Sequence, residues 1–221
     1  MPIHGRDQLA ANDYVDWAST GVDGDYLGET FNTTSHGGLT LTISKGDPFA
    51  DGFERVDQGG SWLGRMVPDQ SWLGSHIPND ALLWTGPSPI DSGMTITFSK
   101  PVFGVGANVD GDNLVESWAE LTAYDKDGNL VFHSGSSPQP GDRSSFLGIL
   151  NDVPNIGSIR FTGYLPGLGI ESFAINQLDI LTQPVPEATQ VAGTASLLCV
   201  LSTIVLRSRR NRSASITNKR G

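Results

Sequence analysis

Short segments of alternating apolar and polar residues follow one another along most of the chain. In residues 39–44, for example, every second residue is apolar, which is the pattern of a strand with one buried face. The same alternation, or a short apolar run between turn residues, recurs as far as Leu181. The pattern predicts roughly nine short strands, at residues 30–34, 39–44, 53–57, 94–98, 118–124, 130–133, 145–150, 156–162 and 172–181.

Turn residues separate these strands at short intervals. The chain contains 27 glycines and 13 prolines, and the sequence at 125–129, Asp-Lys-Asp-Gly-Asn, suits a hairpin loop. The glycine-broken segment 102–109 predicts a bend or bulge, and residues 7–28 predict a short helical or irregular opening segment. Many short strands with frequent turns predict an all-β protein, an antiparallel β-sandwich that is jelly-roll-like.

One tetrapeptide occurs twice. Ser-Trp-Leu-Gly is found at residues 61–64 and again at 71–74, and two copies are too few for a repeat architecture. We interpret them as a local duplication in a long loop. Their tryptophans are candidates for a flat platform that binds carbohydrate, with core packing as the alternative; they are Trp62 and Trp72. The remaining tryptophans are expected in the core; they are Trp17, Trp84 and Trp118.

An uncharged, largely apolar segment lies near the C-terminus. Residues 188–206 contain no charged side chain, and as an α-helix they would span about 28 Å, close to the hydrocarbon thickness of a bilayer. The segment predicts a single C-terminal transmembrane helix. A basic cluster follows at once, which places the C-terminus in the cytoplasm and the preceding domain outside; it consists of Arg207, Arg209, Arg210 and Arg212.

The order of a Pro-Glu motif, an apolar helix and an arginine cluster resembles the PEP-CTERM sorting signal of bacterial envelope proteins. The matching motif is Pro186, Glu187, Ala188 and Thr189, and the family usually has proline where this chain has Ala188. The resemblance implies export, recognition by an exosortase-type protease in the inner membrane, cleavage near the motif, and transfer to the cell surface or extracellular matrix. An ordinary membrane anchor is the alternative.

These features predict three parts. Residues 1–183 are the exported acidic β-sandwich domain, residues 184–212 the sorting signal with its motif at 185–189, and residues 213–221 a cytoplasmic tail. Short motifs in the first part resemble the β-sandwich ectodomains of PEP-CTERM proteins, among them those at 101–108 and 146–149. This second resemblance implies a fold and a location, but no catalytic residues.

The N-terminus conflicts with export. Residues 1–7 have neither the basic nor the apolar region of a signal peptide. We expect the true start to lie upstream of Met1, with the signal peptide there. The alternative is a tail-anchored protein whose acidic domain stays in the cytoplasm. That topology requires translocation of a tail with six basic residues, which the positive-inside rule disfavours.

Charge argues against one class of partner. The chain has 24 acidic and 14 basic residues, and six of the basic ones follow Leu206. The part before the tail is therefore strongly acidic, and we expect no nucleic-acid partner because such a surface repels phosphates. The only cysteine, Cys199, lies in the apolar segment, so the exported part contains no disulfide, zinc-thiolate site or cysteine nucleophile.

Two turns carry acidic residues at alternate positions. The first has Asp110 and Asp112, and the second has Asp125, Asp127 and Asn129. Calcium prefers a shell of several oxygen ligands, so it is a candidate for one or both turns. The alternative is that these side chains only stabilise the turns. Apart from this candidate calcium, the sequence implies no cofactor.

The sequence contains no Gly-x-Ser-x-Gly elbow, HExxH motif, P-loop or dinucleotide fingerprint. We therefore expect a non-enzymatic envelope or extracellular-matrix protein. One alternative is a calcium-dependent module that binds exopolysaccharide. The other is a glycan-acting enzyme, which needs a pair of carboxylates across a cleft; the conceivable ones are Glu54, Asp57, Glu116 and Glu120.

Overall fold

The structure, a computed structural model of the chain, describes residues 1–45, 52–58, 80–86, 93–111, 118–136, 145–165 and 169–183. The chain divides into two units, Met1–Pro184 and Val185–Gly221, and every described residue lies in the first. The predicted transmembrane helix at 188–206 is outside the described residues. Within them, no helix has the length and apolar character needed to cross a membrane.

Strands make up most of the described chain. In the first half they are β1 Pro2–Ile3, β2 Asp13–Val15, β3 Asp25–Gly28, β4 Thr30–Thr34, β5 Thr40–Lys45, β6 Phe53–Asp57, β7 Ala81–Trp84 and β8 Met94–Val102. In the second half they are β9 Gly104–Gly111, β10 Trp118–Tyr124, β11 Leu130–Ser136, β12 Ser145–Leu150, β13 Ile156–Leu165, β14 Gly169–Glu171, β15 Phe173–Ile175 and β16 Leu178–Leu181. Helical structure is limited to α1, Arg6–Leu9, and a 3-10 helix, Trp17–Thr20.

These strands form two antiparallel sheets, which confirms the prediction of an antiparallel β-sandwich at that level. One sheet has nine strands, in the order β1-β12-β9-β15-β7-β6-β3, with β16 pairing with β9 and β2 with β16. The other has seven strands, in the order β11-β10-β13-β8-β5-β4, with β14 beside β13. In β5 and β10 the alternating pattern of the sequence buries one face and leaves the other exposed or half-buried.

A single large apolar cluster fills the space between the two sheets. The seven-stranded sheet supplies residues such as Ile43, Leu121 and Phe161, and the nine-stranded sheet supplies residues such as Val105 and Ile175. All five are completely buried. Burial of this apolar surface is the main favourable contribution to folding.

The outward face of the nine-stranded sheet is also covered in part. The N-terminal segment packs against one region of it. Ile3 and Leu9 of this segment form a second buried cluster with Phe146 and Leu181. A third buried cluster lies on β6, β7 and β15, and consists of Val56, Leu82, Trp84 and Ala174. By contrast, the outward face of the seven-stranded sheet is polar along β10 and β5, where outward-facing residues are exposed or half-buried.

Two predictions about the strands need correction. The predicted strand at 172–181 is two strands, β15 and β16, because the register against β9 shifts by one residue between them: Ile175 is opposite Val109, whereas Asp179 is opposite Gly106. The opening segment 7–28, predicted as helical or irregular, contains β2 and β3 besides its two short helices. Its strands are three and four residues long, too short to show a clear alternation.

Candidate functional site

Most of the residues predicted to carry function lie outside the described residues. These are the sorting motif Pro186, Glu187, Ala188 and Thr189, the cluster Arg207, Arg209, Arg210 and Arg212, the platform tryptophans Trp62 and Trp72, and the acidic residue Asp112. Their proposed roles remain predictions. The described members of the predicted calcium sites are Asp110, Asp125, Asp127 and Asn129.

Asp125 organises the hairpin loop between β10 and β11. Its Oδ1 accepts hydrogen bonds from the backbone N–H of Asp127, at 2.9 Å, and of Asn129, at 2.8 Å. Its Oδ2 accepts one from the Asn129 side chain at 2.9 Å. The Asn129 side chain, followed by its backbone N–H, lowers the pKa of Asp125 below its ordinary 3.8. In this loop the Asp125 carboxylate is thus engaged by the turn itself.

The side chains of Asp127 and Asp110 have other surroundings than the Asp125 carboxylate. Asp127 pairs with Lys126 at 2.7 Å, and Asp110 lies on β9 of the nine-stranded sheet, opposite Ala174. Within the described part of the chain, no group of three or more His, Cys, Asp or Glu side chains is arranged to hold a metal ion. Calcium at these turns stays a prediction.

The carboxylates conceivable for a glycan-acting enzyme are divided between the sheets. Glu54 and Asp57 lie on β6 of the nine-stranded sheet, whereas Glu120 lies on β10 of the seven-stranded sheet. Asp57 pairs with Arg55, and Glu116 is outside the described residues. The structure therefore does not place Glu120 with Glu54 or Asp57 in a common cleft.

The outward face of β10 and β13 brings together a different set of side chains. Directly opposite residues on these antiparallel strands project to the same face. The register pairs Trp118 with Tyr164, Glu120 with Thr162, and Thr122 with Arg160. The interleaved residues Ala119, Leu121 and Ala123 are buried in the core. We call the outward set the polar face; it consists of Trp118, Glu120, Thr122, Arg160, Thr162 and Tyr164.

Trp118 is the exposed aromatic side chain of this face. It is 45% exposed, and Tyr164 opposite it is half-buried. Side chains at directly opposite positions have Cβ atoms about 5 Å apart, so the two residues are neighbours on this face. A large aromatic group left in solvent next to a second one is a typical feature of a ligand-binding surface.

Arg160 and Glu120 place opposite charges beside the aromatic pair. A Cβ atom at Gly93 would lie 2.5 Å from one terminal nitrogen of Arg160 and 2.6 Å from its Nε, so the guanidinium rests against the Gly93 backbone. Gly93 precedes Met94, which is opposite Phe161, and is thus level with Thr162. The guanidinium and Glu120 therefore lie level with Thr162 on its two sides, one row from Trp118, and Thr162 itself is buried.

Hydroxyl groups extend the polar face across the sheet. The row through Arg160 crosses six strands from β4 to β11, and its neighbours are successive partners in the register. The Thr122 hydroxyl and His133 Nδ1 are 3.0 Å apart. Six strands span about 24 Å at their ordinary spacing. The row consists of Thr30, Ser44, Thr95, Arg160, Thr122 and His133.

One tryptophan of this face lies elsewhere than predicted. Trp17 and Trp84 are buried, as predicted, but the prediction that Trp118 lies in the core is wrong. The alternation of β10 contained the signal, because Trp118 shares its parity with Glu120 and Thr122 and not with Leu121. The partnership of Trp118 with Tyr164, 46 residues later, has no local signal in the sequence.

Comparison with known proteins does not identify a family. No family model matches the sequence, and no curated protein matches it significantly. Three solved structures illustrate the similarities found. A DUF4465 family protein from Bacteroides caccae is 9% identical, with a TM-score of 0.40 over 81% of this chain and 99% of that chain.

Two carbohydrate-binding modules also resemble the chain in structure. A family 61 module, solved with β-1,4-galactotriose, is 14% identical, with a TM-score of 0.34 over 65% of this chain and 88% of its own. A family 29 module is 12% identical, with a TM-score of 0.31 over 67% and 99%. Similarities at these TM-scores carry no argument about the function of this chain.

Proposed function

We propose that the domain is a non-enzymatic glycan-binding β-sandwich and that the polar face is its binding surface. The observation that carries the proposal is the exposed Trp118 beside Tyr164, on a face otherwise built of hydroxyl, carboxylate and guanidinium groups. Binding sites for small ligands commonly combine aromatic surface with a few convergent polar groups. A sugar ring matches both, because its C–H face is apolar and its rim carries hydroxyls.

The position of the face on the fold supports this proposal. Leu121 and Ala123 anchor β10 in the core, so the outward side chains of the same strand are held on a rigid element. A site on a strand is more precisely positioned than one on a loop. The aromatic platform predicted at Trp62 and Trp72 is not needed for this proposal and stays a separate prediction.

The location outside the cell is part of the same proposal. It is supported by the PEP-CTERM-like residues Pro186 to Thr189, the apolar segment 188–206 and the arginine cluster that follows. We infer export, a single-pass stage in the inner membrane, and processing by an exosortase-type protease that leaves the domain on the surface or in the matrix. Exopolysaccharide is the glycan available there.

We also propose that the strands of the sandwich are connected in a jelly-roll-like manner.

Affinity electrophoresis of the purified full-length chain tests the binding function. The gels contain hydroxyethyl cellulose, galactomannan, dextran, alginate or polygalacturonate, with a mild detergent in the buffer. We expect at least one polysaccharide to retard the protein, and Trp118→Ala to remove most of the retardation. Tyr26→Ala is the matched control, because Tyr26 is a 63% exposed aromatic side chain on the other sheet.

Two outcomes would overturn the proposal. In the first, no polysaccharide retards the chain. In the second, Trp118→Ala and Tyr26→Ala are both retarded as much as the unmodified protein. Circular dichroism of both variants establishes that they are folded, so that a loss of binding is not a loss of structure.

A further inference from the structure

We propose that the polar face recognises an uncharged polysaccharide, and that it holds one sugar ring on Trp118 while Arg160 donates and Glu120 accepts hydrogen bonds at hydroxyls of different rings of the chain. This inference rests on the glycan-binding function proposed above. It adds the chemical class of the ligand and the roles of three residues, Glu120, Arg160 and Gly93.

The first step is the spacing of the groups. Residues two apart on a strand are separated by about 6.8 Å, so Glu120 lies one row from Trp118 along β10. Thr162 lies opposite Glu120, and the Arg160 guanidinium reaches the same level because it rests against Gly93. The Glu120 Cγ lies 3.7 Å from the Cβ position of Gly135, its partner on β11. Glu120 and the Arg160 guanidinium are thus level with Thr162 on its two sides, about two strand spacings or roughly 10 Å apart.

The second step is the chemistry of that row. A guanidinium has only N–H donors and an ionised carboxylate only acceptors. A sugar hydroxyl both donates and accepts, so a hydroxyl of one ring accepts from Arg160 while a hydroxyl of another ring donates to Glu120. Hydrogen bonds to charged groups are stronger than those between neutral groups. Arg160 and Glu120 therefore contribute strongly to the orientation of a neutral ring on Trp118.

The third step concerns the charge of the ligand. Arg160 alone would suit a uronate or sulfate, because guanidinium groups bind such anions bidentately. Glu120 lies in the same row, however, and would repel an anion there. The part of the chain before the tail is also strongly acidic, which disfavours the approach of an anionic polymer. The charges therefore favour an uncharged polysaccharide.

The fourth step concerns the length of chain that is bound. The row through Arg160 offers polar side chains across six strands, a span of about 24 Å. Several sugar rings fit within that distance. We therefore expect the face to bind the interior of a chain, with an affinity that rises with oligosaccharide length.

Gly93 permits a test that leaves the sugar-contacting side chains in place. A methyl group at this position would overlap the end of the Arg160 side chain, which must shift to make room for it. Gly93→Ala therefore displaces the guanidinium without removing Arg160, Glu120 or Trp118. The variant therefore tests whether binding depends on the position of the guanidinium, because the charge itself is retained.

The experiment compares full-length wild type, Glu120→Gln, Gly93→Ala and Trp118→Ala by titration with a soluble galactomannan, its oligosaccharides of increasing length, and polygalacturonate. We expect binding to galactomannan that strengthens with length. Glu120→Gln should weaken it roughly tenfold, the scale of a lost charged hydrogen bond, and Gly93→Ala should weaken it severalfold. Thermal melts establish that each variant is folded.

The outcomes distinguish a failure of this inference from a failure of the proposed glycan-binding function. If polygalacturonate binds through Trp118 and Glu120→Gln strengthens that binding, the ligand is anionic; the inference is then wrong while the glycan-binding function stands. If Trp118→Ala abolishes galactomannan binding but Glu120→Gln and Gly93→Ala leave it unchanged, the assigned roles are wrong. If no glycan binds, or Trp118→Ala has no effect, the proposed function itself fails.

Discussion

The Nε of Arg6 lies 2.7 Å from Oδ2 of Asp179, and this ion pair joins the short helix α1 to strand β16. Asp179 is buried, and its Oδ1 accepts a hydrogen bond from the Gln177 side chain at 2.7 Å. The Oδ2 atom has close ionic contact with Arg6 but no aligned hydrogen bond. Burial therefore raises the pKa of Asp179 above its ordinary 3.8, more than Gln177 and Arg6 lower it.

This relationship predicts a pH effect on stability. Because its pKa is raised, folded Asp179 holds its proton more tightly than the unfolded chain does. Its contribution to the free energy of unfolding therefore declines as pH rises from 3.8 through the folded pKa. Asp179→Asn lacks this decline, so its stability relative to wild type should increase over that window. Urea unfolding at a series of pH values measures the difference.

Asp7→Asn is the control for that experiment, since Asp7 is an exposed carboxylate on the same helix. Its stability should follow wild type in parallel. A difference between Asp179→Asn and wild type that does not change with pH would contradict the account of Asp179.

For Asp125 we expect the opposite dependence of stability on pH. Its pKa is lowered, chiefly by the Asn129 side chain, so its contribution is present above pH 3.8 and is lost as pH falls through the folded pKa. Asp125→Ala should lower the melting temperature at neutral pH, and the variant should lose less stability than wild type on acidification. Asp152→Ala, at an exposed aspartate after β12, is the control and should match wild type at every pH.

Neighbouring residues of β10 test the assignment of its two faces. Leu121 is fully buried and Thr122 is outward and half-buried. Leu121→Ala should cost about 2–5 kcal/mol in the free energy of unfolding, as buried leucine truncations do. Thr122→Ala should cost no more than about 1 kcal/mol, because it removes only a half-buried β-branched side chain and its contact with His133. Equal costs for the two variants, measured by denaturant unfolding, would contradict the inward and outward assignment on which the polar face depends.

The sorting proposal is tested on the native protein. Mass spectrometry of its terminal peptides, taken from cell-surface material of its own cells, should find a C-terminus between about residues 184 and 190, with residues 191–206 absent. Such a result is expected if the PEP-CTERM-like motif is processed despite Ala188. A surface-located chain that continues to Gly221 would leave an ordinary anchor instead.

Local patterns predicted much of the sandwich. The predicted strands at 30–34, 53–57, 118–124 and 145–150 coincide with β4, β6, β10 and β12. These segments have clear alternation or turn residues at both ends, so the physical signal is local. The strands of residues 7–28 were missed because each is too short for its alternation to be read.

The polar face was harder to predict for a different reason. Its components are local, since the parity of Trp118 and Glu120 follows from β10 alone. Its assembly depends on the pairing of β10 with β13 and of β13 with β8. Strand partners and register are set by packing across the whole domain, and no single segment shows that Tyr164, Arg160 and Gly93 will adjoin Trp118.

Hydroxyl-radical footprinting of the full-length chain, with and without the polysaccharide that retards it, tests the central claim most directly. The extent of oxidation is compared at Trp118, Tyr164 and the exposed Tyr26, which corrects for scavenging of radicals by the sugar. The account predicts that oxidation of Trp118 and Tyr164 falls several-fold relative to Tyr26. Unchanged relative oxidation of Trp118 with bound polysaccharide, or protection confined to the nine-stranded sheet, would contradict the polar face as the glycan-binding surface.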